Sequence, residues 1–260
     1  MAKIITIANQ KGGVGKSTTV YNLGDALGKK DKRVLLIDLD PQASLTMCFG
    51  VKNHEQLKTT VYHLMLSALD VEPLPPKEDY IIKKGNVDLI PCNIGLVAIE
   101  DNLREEVGGE QTIANIIAEL KNEYDYVIID TSPSLGLLTC NALIASDKVI
   151  ITVSPQFLSA AGINLLLKTI DKVKKRVNQR LKIEGILMTM CDNRTGLHRE
   201  IHDTIKEAYK HTINVFKTQI PNSIKVGEAN LNRQSVIEYA PQNKASLAYL
   251  EFAEEVMNCE

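Results

Sequence analysis

A doubly wound α/β fold is what this sequence predicts: a mostly parallel sheet of about seven or eight strands with helices on both faces. Three observations predict it. Short apolar runs alternate with helix-length segments along all 260 residues. Several runs carry Val and Ile at consecutive positions, so they have no polar face, which is how a strand reads when helices cover both sides of a parallel sheet. The first run leads into a glycine-rich loop and two others end in aspartate, which gathers polar chemistry at the strand ends where open α/β sheets bind ligands.

The elements follow in order. The first strand is expected over 3–8 (KIITIA), with a helix over 17–30 behind it. The second strand spans 33–38 (RVLLID), and a helix is expected over 54–69. Residues 70–80 (DVEPLPPKEDY) hold three prolines and several charges, so they are expected as an irregular surface loop. A third strand spans 87–91 (VDLIP), followed by helices over 94–106 and 110–122. The fourth strand is 125–130 (DYVIID) with a helix over 135–145, and the fifth is 148–153 (KVIITV) with a helix over 159–178. The sixth is 183–190 (IEGILMTM) with a helix over 196–210, and the seventh is 213–220 (INVFKTQI). A last helix is expected over 244–257. There is no repeat and no low-complexity tail, and the chain 1–260 is expected to form one domain.

Composition narrows the function. The net charge of −2 gives no global attraction to nucleic acid, so any DNA binding needs a local basic patch. No apolar run reaches membrane-spanning length and no signal-peptide pattern follows Met1, so the expected location is the cytoplasm. The five cysteines, Cys48, Cys92, Cys140, Cys191 and Cys259, are scattered and form no CxxC, which points to reduced, mostly buried thiols and not to zinc or an iron–sulfur cluster.

The densest signal is NQKGGVGKST, residues 9–18. The usual phosphate loop is GxxxxGK[ST], and here Gln10 stands where its first glycine would be. The physics survives that change. Gly12, Gly13 and Gly15 let successive backbone N–H groups, Val14 among them, turn inward around phosphate oxygens. The helix that follows adds its positive end. Lys16 reaches the β- and γ-phosphates, Ser17 is placed to ligate Mg²⁺, and Thr18 completes the nucleotide-binding run.

Carboxylates at two other strand ends support nucleotide chemistry. VLLIDLDPQ (34–42) brings Asp38 and Asp40 to the end of the second strand, and VIIDTSP (127–133) brings Asp130 to the end of the fourth. Aspartates in such places hold Mg²⁺, often through water, or orient an attacking water. One of them alone could be a helix cap, but three beside a phosphate loop are poorly explained that way.

KGGVGK[ST] resembles the deviant phosphate loop of the ParA/MinD family of ATPases, and the likeness, of the ParA/Soj partition type, runs from Ile4 to about Val256. The resemblance implies a P-loop NTPase with ATP and Mg²⁺ as cofactors. It implies that Lys11 contacts phosphate across a homodimer interface formed on ATP binding, so that Lys11, Lys16 and Asp40 carry catalysis. DLDPQ looks like the family's second signature, with Asp40 placing the water and Asp38 near the phosphate loop and metal. Asp130 matches the metal-side aspartate, and TSPSLG (131–136) looks like the loop that senses the γ-phosphate. VFKTQIPNSIKVGEA (215–229) is similar to the stretch that closes the adenine pocket, which makes Pro221 and Ser223 candidate nucleotide contacts. The family's Arg-Asn pair is Asn222-Ser223 here, which removes one positive charge.

Partition proteins of this family bind DNA without sequence preference as ATP dimers, associate with the nucleoid, and are released when a centromere-binding, ParB-like partner stimulates hydrolysis. Arg194 and Lys225 match basic positions that touch DNA. Periodicity adds Lys168, Lys172, Lys175 and Arg176 on one face of helix 159–178, with Leu166, Ile170, Val173 and Val177 opposite. The last stretch, SLAYLEFAEEVMNCE, has four glutamates after residue 250 and no cation beyond Lys244, so the membrane helix of MinD has no counterpart and no membrane partner is expected. The alternatives are an ATP-dependent small-carboxylate ligase of the dethiobiotin synthetase type, against which DLDPQ speaks, and a ParA-like positioning switch for another cargo.

Overall fold

Both faces of the central strands are apolar, and the structure, a computed structural model that describes residues 2–155, 159–192 and 196–259, buries both. The strands are β1 (Lys3–Ala8), β2 (Val34–Leu39), β3 (Ile82–Lys84), β4 (Val87–Ile90), β5 (Tyr126–Thr131), β6 (Lys148–Val153), β7 (Lys182–Cys191) and β8 (Val215–Pro221). The helices are α1 (Lys16–Gly28), α2 (Ser44–Phe49), α3 (Val61–Leu69), α4 (Lys77–Tyr80), α5 (Ile99–Glu105), α6 (Thr112–Leu120), α7 (Leu137–Ala145), α8 (Ser159–Arg176), α9 (Gly196–Tyr209), α10 (Ile224–Leu231), α11 (Val236–Tyr239) and α12 (Lys244–Asn258).

The eight strands form one sheet in the order β3-β4-β2-β5-β1-β6-β7-β8, parallel except for the β3–β4 hairpin. Side chains alternate strictly. Val34 and Leu36 of β2, Ile5 and Ile7 of β1, and Tyr126 and Ile128 of β5 face a layer made by α1, α2, α10, α11 and α12. Leu35, Ile37 and Leu39, with Val127 and Ile129, face α3, α5, α6 and α7. Val149, Ile151 and Val153 of β6 face α8 and α9. α1 lies very close to the sheet at Gly24, where a Cβ would come within 2.8 Å of Leu36 Cδ2. Packing that tight fixes where α1 begins, and so where the phosphate loop sits.

α12 closes the first layer. Tyr249, Phe252, Ala253 and Val256 are buried against it, and Phe252 meets Phe216 of β8 edge to face at 5.0 Å between ring centres. Its apolar face is therefore inside the fold. No helix among the described residues is long and apolar enough to cross a membrane.

β8 is one edge of the sheet, and α12 covers part of it. The Lys217 and Thr218 amides donate to the Glu255 carboxylate at 2.8 and 3.1 Å. At the other edge β3 is three residues long and carries Lys83 and Lys84.

The differences from expectation are local. The helix expected over 54–69 is a 3₁₀ turn (His54–Gln56) and then α3, which starts after Thr60 caps it together with His63. The segment 94–106 likewise begins as a 3₁₀ turn before α5. The loop expected over 70–80 ends in the one-turn α4, which buries Tyr80. β3, α2, α10 and α11 lie outside the expected elements. Val177, expected to pack on the sheet, is 44% exposed because α8 ends at Arg176 and the chain turns away there.

Candidate functional site

β1 lies between β5 and β6. Its own connection, through α1 to β2, covers one face of the sheet, and the connection leaving β5, through α7 to β6, covers the other, so a crevice opens at the carboxyl ends of β1 and β5. The loop that follows β1 fills that crevice. Gly13 and Gly15 take φ of 71° and 77°, the left-handed region where a side chain would be strained. Gly15 is also the N-cap of α1 and offers no side-chain cap, so the first amides of the helix stay available for an anion.

The loop is held from three sides. Asn9 is buried, donates to the Thr152 carbonyl at 2.6 Å and accepts from the Lys11 amide at 2.9 Å. Thr189 Oγ1 at the end of β7 donates to the Val14 carbonyl at 2.9 Å. Pro133, in the loop after β5, lies against Gly12. Lys16 is buried, and its Nζ donates to the Lys11 carbonyl at 3.3 Å. Burial lowers the Lys16 pKa, and the carboxylates of Asp130 and Asp40 draw it back up. Lys11 is half-buried.

Asp38 and Asp130 are register partners on β2 and β5, and both are fully buried. Burial lifts the Asp38 pKa to about 6 against the pull of its Thr46 and Asp40 hydrogen bonds. Burial first and the neighbouring Asp38 second raise the Asp130 pKa well above the ordinary carboxylate range, while the Ser17 hydroxyl and Lys16 pull it down. Asp130 Oδ1 accepts from the Thr131 amide at 3.0 Å, and its buried Oδ2 has no hydrogen-bond partner. An orphaned carboxylate oxygen facing Ser17 and Lys16 fits a divalent cation that takes one or two protein oxygens and completes its shell with phosphates and water. No cluster of three or more His, Cys, Asp or Glu placed for a metal occurs among the described residues.

Asp38 stands differently from the expected metal ligand. Its Oδ2 accepts from the Thr46 amide and hydroxyl at 2.9 and 2.7 Å, and its Oδ1 accepts from the Asp40 amide at 3.1 Å. Both oxygens are occupied in pinning the start of α2 and the turn that carries Asp40. Asp40 itself lines the phosphate cleft with Gln42, and its Oδ1 accepts from the Gln42 amide at 3.0 Å.

Two adjoining clefts meet over the loop. One, about 440 Å³, is lined by Gly12, Gly13, Lys16, Ser17, Asp40 and Pro133. The other, about 550 Å³, is mostly apolar and is lined by Ile220, Pro221, Asn222, Ser223, Leu231 and Tyr249. Gly15, Thr18, Met190 and Asn230 belong to both. One polar cleft with an apolar extension has the shape and chemistry for phosphates joined to a flat base. Pro221 and Ser223, the two candidate nucleotide contacts, both line this apolar cleft. The Ser223 hydroxyl, however, caps α10 by accepting from the Lys225 amide at 3.3 Å and donates to Asn243 Oδ1 at 3.1 Å, so it is already engaged. Thr46, Asn9, Thr189 and Met190 are site residues that sequence reasoning missed. Thr46 and Thr189 meet their partners only through tertiary contacts. Cys48 borders the phosphate cleft, but burial pushes its thiol up to about 11, far from a reactive thiolate.

The basic candidates fall in separate places. Lys168, Lys172, Lys175 and Arg176 are exposed on α8 opposite the buried Leu166, Ile170 and Val173, and Lys175 pairs with Asp171 at 2.8 Å. Lys225 on α10 pairs with Glu228 at 2.7 Å and stands 5.8 Å from the Tyr239 ring. Arg194 lies outside the described residues.

Comparison with known proteins sets this geometry in context. A family model described as an AAA domain matches residues 2–183. The sporulation initiation inhibitor protein Soj of Bacillus subtilis (strain 168) is 40% identical over 259 residues, covering 98% of this chain and 98% of that protein. The chromosome partitioning protein ParA of Myxococcus xanthus (strain DK1622) is 34% identical over 259 residues, covering 99% of this chain and 88% of that protein. Among solved structures, cobyrinic acid a,c-diamide synthase from Mycobacterium smegmatis with bound ADP and magnesium matches with a TM-score of 0.85 at 34% identity, covering 99% of this chain and 94% of that one.

Proposed function

The chain belongs to the ParA/MinD-type P-loop ATPases, and from that premise we propose that it is a DNA partition ATPase whose ATP-bound homodimer binds DNA without sequence preference. It works on ATP with Mg²⁺. The observation that carries the proposal is a buried Lys16, lining the cleft with Asp40, whose Nζ donates to the backbone carbonyl of a second lysine, Lys11, at the other end of the glycines. One lysine serves the protomer's own phosphates. The other is suited to stabilise charge on the phosphoryl group of the facing copy, which ties hydrolysis to dimerisation.

The roles follow from geometry. Backbone amides of Gly12 to Thr18 and the start of α1 cradle the phosphates. Ser17 and the open oxygen of Asp130 would hold Mg²⁺, which would neutralise phosphate charge when bound. Asp40, oriented by Asp38 through its amide, positions the attacking water. Pro221 walls the base cleft. The exposed cations of α8, with Lys225 and Arg194, supply the phosphate contacts to DNA, and a centromere-binding, ParB-like partner completes the site for fast turnover.

Binding to a random-sequence duplex, measured with ATP, ADP and no nucleotide across a salt series, tests this for wild type and Lys16→Ala. ATP-dependent, steeply salt-sensitive binding that Lys16→Ala loses is expected. Absence of DNA binding under every nucleotide would overturn the DNA role and leave the ATPase site standing.

A second reading has its own support in the full-length likeness to a cobyrinic acid a,c-diamide synthase,. On that reading the γ-phosphate passes to a small carboxylate, as in dethiobiotin synthetase-type ligases. ATP turnover stimulated by a small carboxylic acid and indifferent to DNA would favour it. A positioning switch for another cargo shares the ATP chemistry and differs only in its partner.

A further inference from the structure

The carboxyl end of β7 carries one residue more than its neighbour can match. Met188 pairs with Gln219 and Cys191 with Pro221, so three steps on β7 face two on β8. The surplus falls at Met190, whose φ is 53°. A bulge of this kind re-aims a side chain, and the left-handed position favours glycine. Here it holds a long, unbranched thioether.

The residues on either side are tied to opposite halves of the site. Thr189 holds the phosphate loop through Val14. The Cys191 carbonyl accepts from the amide of Asn222, in the wall of the base cleft, at 2.9 Å. Met190 lines both clefts, is 39% exposed, and its Cε lies 3.9 Å from where a Cβ on Gly15 would stand. A strained backbone that presents an apolar side chain to an open cleft gains nothing from core packing. The gain is available when a flat apolar surface enters the cleft, because a thioether adapts its shape and makes favourable contacts with aromatic rings.

We propose that Met190 is a nucleotide-contact residue whose thioether packs on the base of bound ATP at the junction of the two clefts, opposite Pro221, and so positions the base relative to the phosphates. This rests on the nucleotide-site assignment above.

Calorimetric titration of the full chain with Mg·ADP and with Mg·pyrophosphate tests it, using wild type, Met190→Ala and Met190→Leu, with the ligand-free Tm of each. Met190→Ala is expected to bind ADP about tenfold more weakly, and Met190→Leu, which keeps apolar bulk, within about threefold of wild type. Pyrophosphate affinity should be equal in all three, and the ligand-free Tm of Met190→Ala should not fall. ADP binding by Met190→Ala within twofold of wild type would overturn the proposal. So would an equal loss of pyrophosphate affinity, which would make Met190 only a prop for the phosphate loop. Wild type that binds pyrophosphate but not ADP would overturn the base contact, whereas wild type that binds neither would overturn the nucleotide site itself.

Discussion

Asp38 and Asp130 stand side by side, Cα partners on adjacent parallel strands, both without solvent exposure. Two buried carboxylates at that spacing resist joint ionisation. Asp38 is steadied by three hydrogen bonds, and Asp130 keeps an orphaned oxygen. On the proposed reading, the positive charge of Mg²⁺ arriving with the nucleotide would relieve this pair.

Asp130→Asn should relieve the pair and remove the metal oxygen together. Ligand-free Asp130→Asn is expected to gain about 1 kcal/mol, which is about 2–4 °C in Tm for a chain of this size. The additional rise that ATP with Mg²⁺ gives to wild type should shrink, as it should for wild type in EDTA. Thermal melts with and without ligand read both effects, and a lower ligand-free Tm would contradict the like-charge burden.

Thr46→Val removes the hydroxyl that donates to Asp38 at 2.7 Å and accepts from the Cys92 amide at 2.9 Å. Leaving a buried carboxylate and an amide short of partners should cost about 2 kcal/mol. Urea unfolding should show a lower midpoint at unchanged slope. Wild-type stability would mean that Asp38 is held by other means.

Lys16→Ala and Lys11→Ala should separate binding from turnover. Loss of the buried Lys16 should weaken ATP by about 100-fold or more. Lys11→Ala should still bind ATP, with partner-stimulated hydrolysis down by about 10³. Single-turnover measurements alongside equilibrium binding distinguish the two, and normal turnover by Lys11→Ala would remove its role across the interface.

Asp40→Ala should bind ATP and stay loaded. Size-exclusion chromatography with ATP is expected to show a persistent dimer, and wild-type turnover would assign the water to another group.

Replacing both Lys168 and Lys172 with Glu should weaken DNA binding while ATP affinity holds. If both contact phosphates, the slope of log K against log salt should fall by about 2. An unchanged slope would place the DNA elsewhere, near Lys225 or Arg194.

The sheet was legible because its strands are buried on both faces, so runs such as VLLID and YVIID announce themselves without alternation. The phosphate loop was legible because its chemistry is local, with glycines, lysine and serine in one stretch. The β3–β4 hairpin had a readable signal in its two-residue Gly85-Asn86 turn, with Gly85 at φ 62°, but its first strand is too short to show a period. α2 starts from Ala43 at φ 52° with no capping side chain, so nothing in SLTMCF marks its beginning. The engagement of Asp38 could not be read either, because its partner Thr46 meets it only after the chain has turned through that unmarked position. Met190 was hidden for another reason. A bulge exists only relative to the neighbouring strand, and register is not written in one strand alone.

Glu255 has a consequence for how copies of this chain can meet. By accepting from two successive amides of β8, and with the short, lysine-bearing β3 at the far side, the molecule withholds its sheet as a template for a neighbour's strand. Crowding many copies together on one DNA, as a partition protein would be, invites strand-to-strand growth into irreversible fibres. Here the last helix stands guard against it.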